Sequence, residues 1–211
     1  MTKPLCFLLM PFGKKLDADG RTIDFNAVYE EFIKPAVEAA ELEPIREEVV
    51  GGIIHEPMFE RLLLCEFVVA DLTTANANVF YKVGVRHAVL PATTVLLFGG
   101  ATHVPFDVTL LRALPYQIDG SGKPLDPASS AKALSTLLTK AREQPTIDSP
   151  IFQQLEGYPN IFAQNMAKQS IRKLLRPRKL LRPSTYCFIS YSSKDSEFAS
   201  QLYDDLSRAR L

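Results

Sequence analysis

The chain has 211 residues, enough for one well-buried domain plus a smaller piece. Its 24 lysines and arginines balance 24 aspartates and glutamates, so the molecule carries no overall bias toward nucleic acid or a membrane surface. Its 3 cysteines, Cys6, Cys65 and Cys187, are odd in number and lack CxxC spacing, which argues against a disulfide framework and a zinc site and reads as buried, reduced thiols.

Taken in order, the first element is a strand over residues 5–10, inside the apolar run Leu5 to Phe12. That run is too short to span a membrane, is broken by Pro11 and precedes no cleavage pattern, so a cytoplasmic protein is expected. The loop Pro11-Phe12-Gly13 leads through a polar, flexible stretch to a helix that Asp24 can cap and that Pro35 should kink or divide. A short strand near 43–46, the pair Gly51-Gly52 and a helix over about 53–65 follow. Residues 67–71 form a third strand, 93–98 a fourth closed by Gly99-Gly100, and 116–118 a fifth, followed by an amphipathic helix over about 127–143. Strands separated by helices of this size indicate βαβ units and a parallel sheet. The histidines His55, His87 and His103 do not pair at metal-ligand spacing, and no metal or cofactor is expected.

The densest information lies in Asp71 to His87, DLTTANANVFYKVGVRH, where an apolar strand ends in a carboxylate and a polar turn opens into a helix. Such strand-to-helix junctions are where open α/β folds bind ligands. Thr73, Thr74, Asn76 and Asn78 offer capping oxygens for the helix that starts near Val79. Asn78, Lys82 and Arg86 recur every four residues, so the spacing predicts a polar stripe directed from the strand end toward the crevice.

The apolar strand, Asp-Leu-Thr, Asn-x-Asn-Val-Phe-Tyr and Gly-Val-Arg-His-Ala together resemble the nucleoside 2-deoxyribosyltransferase-like proteins, a Rossmann-related superfamily that also contains the TIR domains. The opening LCFLLMPFG and the helix VYEEFIKPAVEAA match as well, so the resemblance covers residues from about 1 to 145. It is similar in particular to the branch found ahead of TIR domains and in apoptosis signal-regulating kinases. The resemblance implies a nucleoside or nucleotide ligand. With their positions at strand ends, it implies that Phe12 and Gly13 shape the base or ribose pocket, that Asp71 accepts from sugar hydroxyls, and that Asn78 and Tyr81 line the entrance.

One departure outweighs the matches. Where the family reads Tyr-Glu-Leu-Gly, this chain reads Tyr81, Lys82, Val83, Gly84, and the family's glutamate attacks C1′ of the sugar. A carboxylate can form a glycosyl ester and stabilise the positive charge growing on the sugar, whereas an ammonium repels it. Lys82 therefore reads either as an exposed helix residue or as the mark of a site that has lost its chemistry; a lysine desolvated enough to act as nucleophile is the least favoured reading.

Past Pro150 the character changes. Residues 151–165 mix apolar and turn signals and suit a small helix packed on the first domain. From Lys168 to Arg182 the charged residues are all basic and are interrupted by Pro177, which suits a connector. In the last piece Cys187, Phe188 and Ile189 read as a short strand, and Phe198, Leu202 and Leu206 as the apolar stripe of a helix. Phe-Ile-Ser-Tyr-Ser-x-x-Asp followed by such a helix resembles the first strand and helix of a TIR domain. The later TIR loop and the glutamate of NAD-cleaving members are not among these residues, so no NADase is implied here.

The expected organisation is therefore a Rossmann-like, flavodoxin-like parallel sheet flanked by helices over 1–150, a small helical and basic linker over 151–184, and a partial second α/β unit, the start of a TIR domain, over 185–211. The favoured function is nucleotide or nucleoside sensing in a TIR-containing signalling or defence protein, with glycosidic chemistry lost and homotypic self-association through the tail. The alternatives are an active N-glycosidase or deoxyribosyltransferase using another carboxylate, such as Asp71, Glu48 or Glu56, and a protein assembly scaffold.

Overall fold

Strand β1 (Leu5–Leu9) is buried from Cys6 onward and β5 (Phe67–Asp71) is buried along its whole length. Apolar runs covered on both faces belong in the middle of a parallel sheet. In the computed structural model, which describes residues 2–46, 55–100, 113–158 and 195–208, these two strands lie side by side. With β4 (Glu43–Arg46), β6 (Thr94–Gly99) and β7 (Ala113–Tyr116) they form one sheet in the order β4-β1-β5-β6-β7, every neighbouring pair parallel. The chain steps outward from β1 to β4, then returns to β5 on the other side of β1. That reversal gives the flavodoxin-like version of the Rossmann-like sheet, with its switch point at the carboxyl ends of β1 and β5, where open α/β folds form a ligand crevice.

Side-chain alternation divides the core into two layers. Cys6, Leu8, Phe67, Val69, Val95, Leu97 and Tyr116 face one side. They pack there against helix α1, which runs through Phe25–Ala27, Val28–Ile33 and Lys34–Ala39, and against α4 (Pro127–Glu143). Phe7, Leu9, Val68, Ala70 and Leu96 face the other side, against α2 (His55–Leu64) and α3 (Ala77–Val89). A short helix, α5 (Pro150–Gln154), follows. Ser149 caps it through Phe152 N–H, and its hydroxyl donates to the His87 carbonyl at 2.6 Å, fastening this piece to the end of α3.

Asp24 caps α1 as expected, accepting from the amides of Asn26 and Ala27. The break expected at Pro35 takes the form of a π-helical middle third, Val28–Ile33, in which the Lys34 amide donates to the Tyr29 carbonyl five residues back. Pro35 has no N–H to give and its ring would crowd the carbonyl four residues earlier, so a widened turn ahead of it relieves both problems.

Three expectations are corrected. The stretch after Gly13 is a β-hairpin, β2 (Lys14–Leu16) paired antiparallel with β3 (Thr22–Asp24). Its far side is met by the loop before α4: Gly122 accepts from the Asp24 amide at 2.8 Å, and a Cβ on Gly122 would fall 2.0 Å from the Thr22 carbonyl oxygen. The fifth sheet strand ends at Tyr116 instead of beginning there, and Ile118 bridges to Pro124. The polar stripe of α3 does not lead into the crevice, since Arg86 turns inward at the other end of the sheet.

The chain divides into two units, Met1–Pro159 and Asn160–Leu211. Of the second, the described part is helix α6 (Ser196–Arg208), along which Phe198 and Tyr203 are exposed and Leu202 and Leu206 half-buried. The expected strand at 187–189 and the basic connector lie outside the described residues. Among the described residues no helix is long and apolar enough to cross a membrane.

Candidate functional site

On the β5 side of the crevice, the strand's alternation turns Asp71 to the same face as Val69, under α1 and α4, where it is 1% exposed. Its Oδ1 accepts from the Thr73 amide at 2.9 Å and from the Thr73 hydroxyl, and its Oδ2 accepts from the Tyr116 hydroxyl at 2.8 Å. Thr73 Oγ1 in turn accepts from the Gly99 amide at 2.8 Å. The network ties the carboxyl ends of β5, β6 and β7 together. Glycine is required at position 99 because a Cβ there would lie 2.6 Å from the Tyr116 ring. Burial pushes the Asp71 carboxyl up while the bonds from Thr73 and Tyr116 pull it down, and burial together with the Asp71 charge holds the Tyr116 phenol well above its ordinary value. Tyr116 therefore stays protonated as the donor. With protein donors on both oxygens, Asp71 organises the strand ends.

On the β1 side, Gly13 adopts a left-handed conformation, φ 64°, and its amide donates to Asn26 Oδ1 while its carbonyl accepts from the Phe25 amide. That turn holds the half-buried Phe12 beside the last residue of β4, Arg46. The Arg46 guanidinium carbon lies 4.3 Å from the Phe12 ring centroid and 4.8 Å from that of Tyr29, in the π-helical part of α1. Its Nη2 donates to the carbonyls of Pro11 at 2.9 Å and Phe25 at 3.4 Å, while Nε is buried without a partner. Burial lowers the arginine's pKa. Sequence reasoning missed this residue, since a single arginine closing a four-residue strand carries no motif.

The helix on the far side of the junction starts at Ala77, capped by Asn76, whose Oδ1 accepts from the amides of Asn78 and Val79. Asn78 is exposed, Tyr81 is 59% exposed and Lys82 is half-buried on its outer turns. Arg86 leaves this set altogether. Eight residues of helix carry it ~12 Å along the axis and rotate it ~80° from Asn78, so it descends toward the amino ends of the strands and turns inward. There it is fully buried, with Nη1 donating to the carbonyls of Leu62 and Cys65 at 2.7 and 2.9 Å, and Nη2 to Glu66 and Thr93 at 3.0 and 3.1 Å. It thus caps the end of α2 and joins it to the starts of β5 and β6. Burial lowers its pKa to about 10, pushes the neighbouring His87 down to about 4, and raises Asp148, which accepts from the Thr94 amide at 2.8 Å, to about 6.

A cavity of about 470 Å³ also opens at the carboxyl edge, between the hairpin residues Asp17 and Arg21 and the segments at Gly99 and Ile118. None of the residues expected at the site lines it. Its carboxylates are engaged in local turns, Asp17 Oδ1 with the amides of Asp19 and Arg21, and Asp119 Oδ1 with the amides of Ser121 and Lys123. Among the described residues no group of histidine, cysteine or acidic side chains has the geometry to hold a metal ion. Compared with protein-family models and with curated proteins, the chain matches none.

Proposed function

We propose that the first unit is a nucleoside- or nucleotide-binding module of a TIR-containing signalling or defence protein, with its glycosidic chemistry lost. The sheet order supports a ligand crevice at the carboxyl ends of β1 and β5. What supports the loss of chemistry is that Lys82 stands where the resemblance calls for a carboxylate and that Asp71 is buried on Thr73 and Tyr116. Asp71 then acts by positioning the strand ends, and Phe12 and Gly13 form the β1 wall, with Asn78 and Tyr81 at the rim. Glu48 and the side chain of Glu56 lie outside the described residues.

The test is chromatography of free base released from nucleosides, nucleotides and NAD, alongside thermal shifts with the same panel. The expected result is no base release above background together with a ligand-dependent rise in Tm, and with some release restored by Lys82→Glu. Robust release by the unmodified protein refutes the reading and makes the domain an enzyme.

A further inference from the structure

The sheet holds one buried or half-buried arginine near each end, and they are equipped differently. Arg86 at the amino end spends both Nη groups on three carbonyls and a hydroxyl, and feels the charge of Asp148. Its Nε is buried without a partner, as that of Arg46 is, so the two differ in their Nη groups. Arg46 at the carboxyl end has two carbonyls, both on Nη2, and no salt bridge among the described residues. Among the described residues its Nη1 has no hydrogen-bond partner, and unlike Nε it is not among the buried unpartnered atoms. Desolvation lowers the arginine's pKa and is only partly offset by the charge of Glu30, a carboxylate that is itself paired with Lys34 at 3.1 Å. The protein nonetheless holds it in place through Nη2 and through the rings of Phe12 and Tyr29, which restrict the planar group by cation–π contact.

We propose that Arg46 is the anion-recognition residue of this crevice, presenting Nη1 to a phosphate or carboxylate oxygen of the ligand. Pre-organisation is the supporting argument. Side-chain freedom has already been surrendered to the Pro11 and Phe25 carbonyls and to the two rings, so an incoming oxyanion gains a charge-assisted bond at little ordering cost. Position is the second argument, because Arg46 closes β4 next to β1, at the edge where the sheet order opens the crevice. The inference deepens the nucleotide reading and rests on it: it makes the phosphate, ahead of the base, the recognised group.

The test is calorimetry with ADP, adenosine and pyrophosphate on the full chain, its Arg46→Gln variant and its Arg46→Lys variant, each first verified as folded by circular dichroism. The expected result is ADP binding at least about tenfold tighter than adenosine, the difference a charge-assisted bond produces. Arg46→Gln should erase that preference, and Arg46→Lys should retain part of it. Equal binding of ADP and adenosine by the unmodified protein, or a preference that survives Arg46→Gln, overturns the proposal while leaving nucleoside binding intact. If neither nucleoside nor nucleotide binds, the nucleotide reading fails by itself. Arg46-dependent binding of pyrophosphate would then still support anion recognition, and its absence would overturn it. Should Arg46→Gln fail to fold, the Arg46→Lys comparison decides, since a preference unchanged from the unmodified protein contradicts the use of a planar guanidinium.

Discussion

Replacing Tyr116 by phenylalanine removes the hydroxyl that donates to Asp71 Oδ2 at 2.8 Å and leaves the ring in place, 5.1 Å from that of Phe32. No hydrocarbon is lost, so no cavity term enters. What is lost is a hydrogen bond to a charged acceptor, ~1.5–3 kcal/mol, and the upper part of that range is expected because a carboxylate that is 1% exposed has no water to substitute. The sign of the pH dependence follows from Asp71. Its folded pKa is already raised by burial, and removing a donor to the ionised form raises it further. A carboxyl with a raised folded pKa weakens the fold fully above that pKa, less as pH falls through it, and no longer below its unfolded value of about 3.9. The gap between variant and parent is therefore widest at neutral pH and narrows in acid. Urea melts of both proteins at pH 7 and in mild acid measure it directly, since groups common to both cancel in the difference. In an Asp71→Asn background, where the Tyr116 hydroxyl has no charge to serve, Tyr116→Phe should cost less than ~1 kcal/mol. An unchanged urea midpoint at pH 7, or a loss of equal size in both backgrounds, would refute the proposed coupling of the strand ends.

At the opposite edge, Arg86→Met should destabilise the fold by ~3–5 kcal/mol in denaturant melts, because the carbonyls of Leu62, Cys65 and Glu66 lose their donor together. A loss under ~1 kcal/mol would mean that water takes the arginine's place. His87, pushed down to about 4, is neutral in the fold while the unfolded chain protonates near 6.5. Its contribution to stability is complete above pH 6.5 and is lost as pH falls from there toward 4, by up to ~3 kcal/mol relative to His87→Leu. An NMR titration placing the His87 imidazole midpoint near 6.5 would contradict this burial effect.

Much of the scaffold was legible because its signals are local. The run from Phe67 to Asp71 is apolar without interruption, the segment from Pro127 to Glu143 repeats with helical period, and Asp24 sits one residue before an apolar face. The strands 14–16 and 22–24 were not legible, because all of 14–16 is exposed and a two-stranded hairpin of that length has little apolar pattern to declare it. Arg86 was misread for a geometric reason: a four-residue repeat defines a stripe along a helix but not which end of the stripe faces the sheet.

The sequence by itself determined the parallel α/β class, the main strands and helices and the lysine at position 82, since each depends on residues within a few positions of one another. Only the arrangement in space decided which polar groups find partners within the fold. Asp71 finds Tyr116 at a separation of 45 residues and Arg46 reaches the Pro11 carbonyl at a separation of 35. Those partners meet because parallel strands bring distant segments to a common edge, and hydrogen-bond capacity at that edge is settled by neighbours in space that no local pattern encodes.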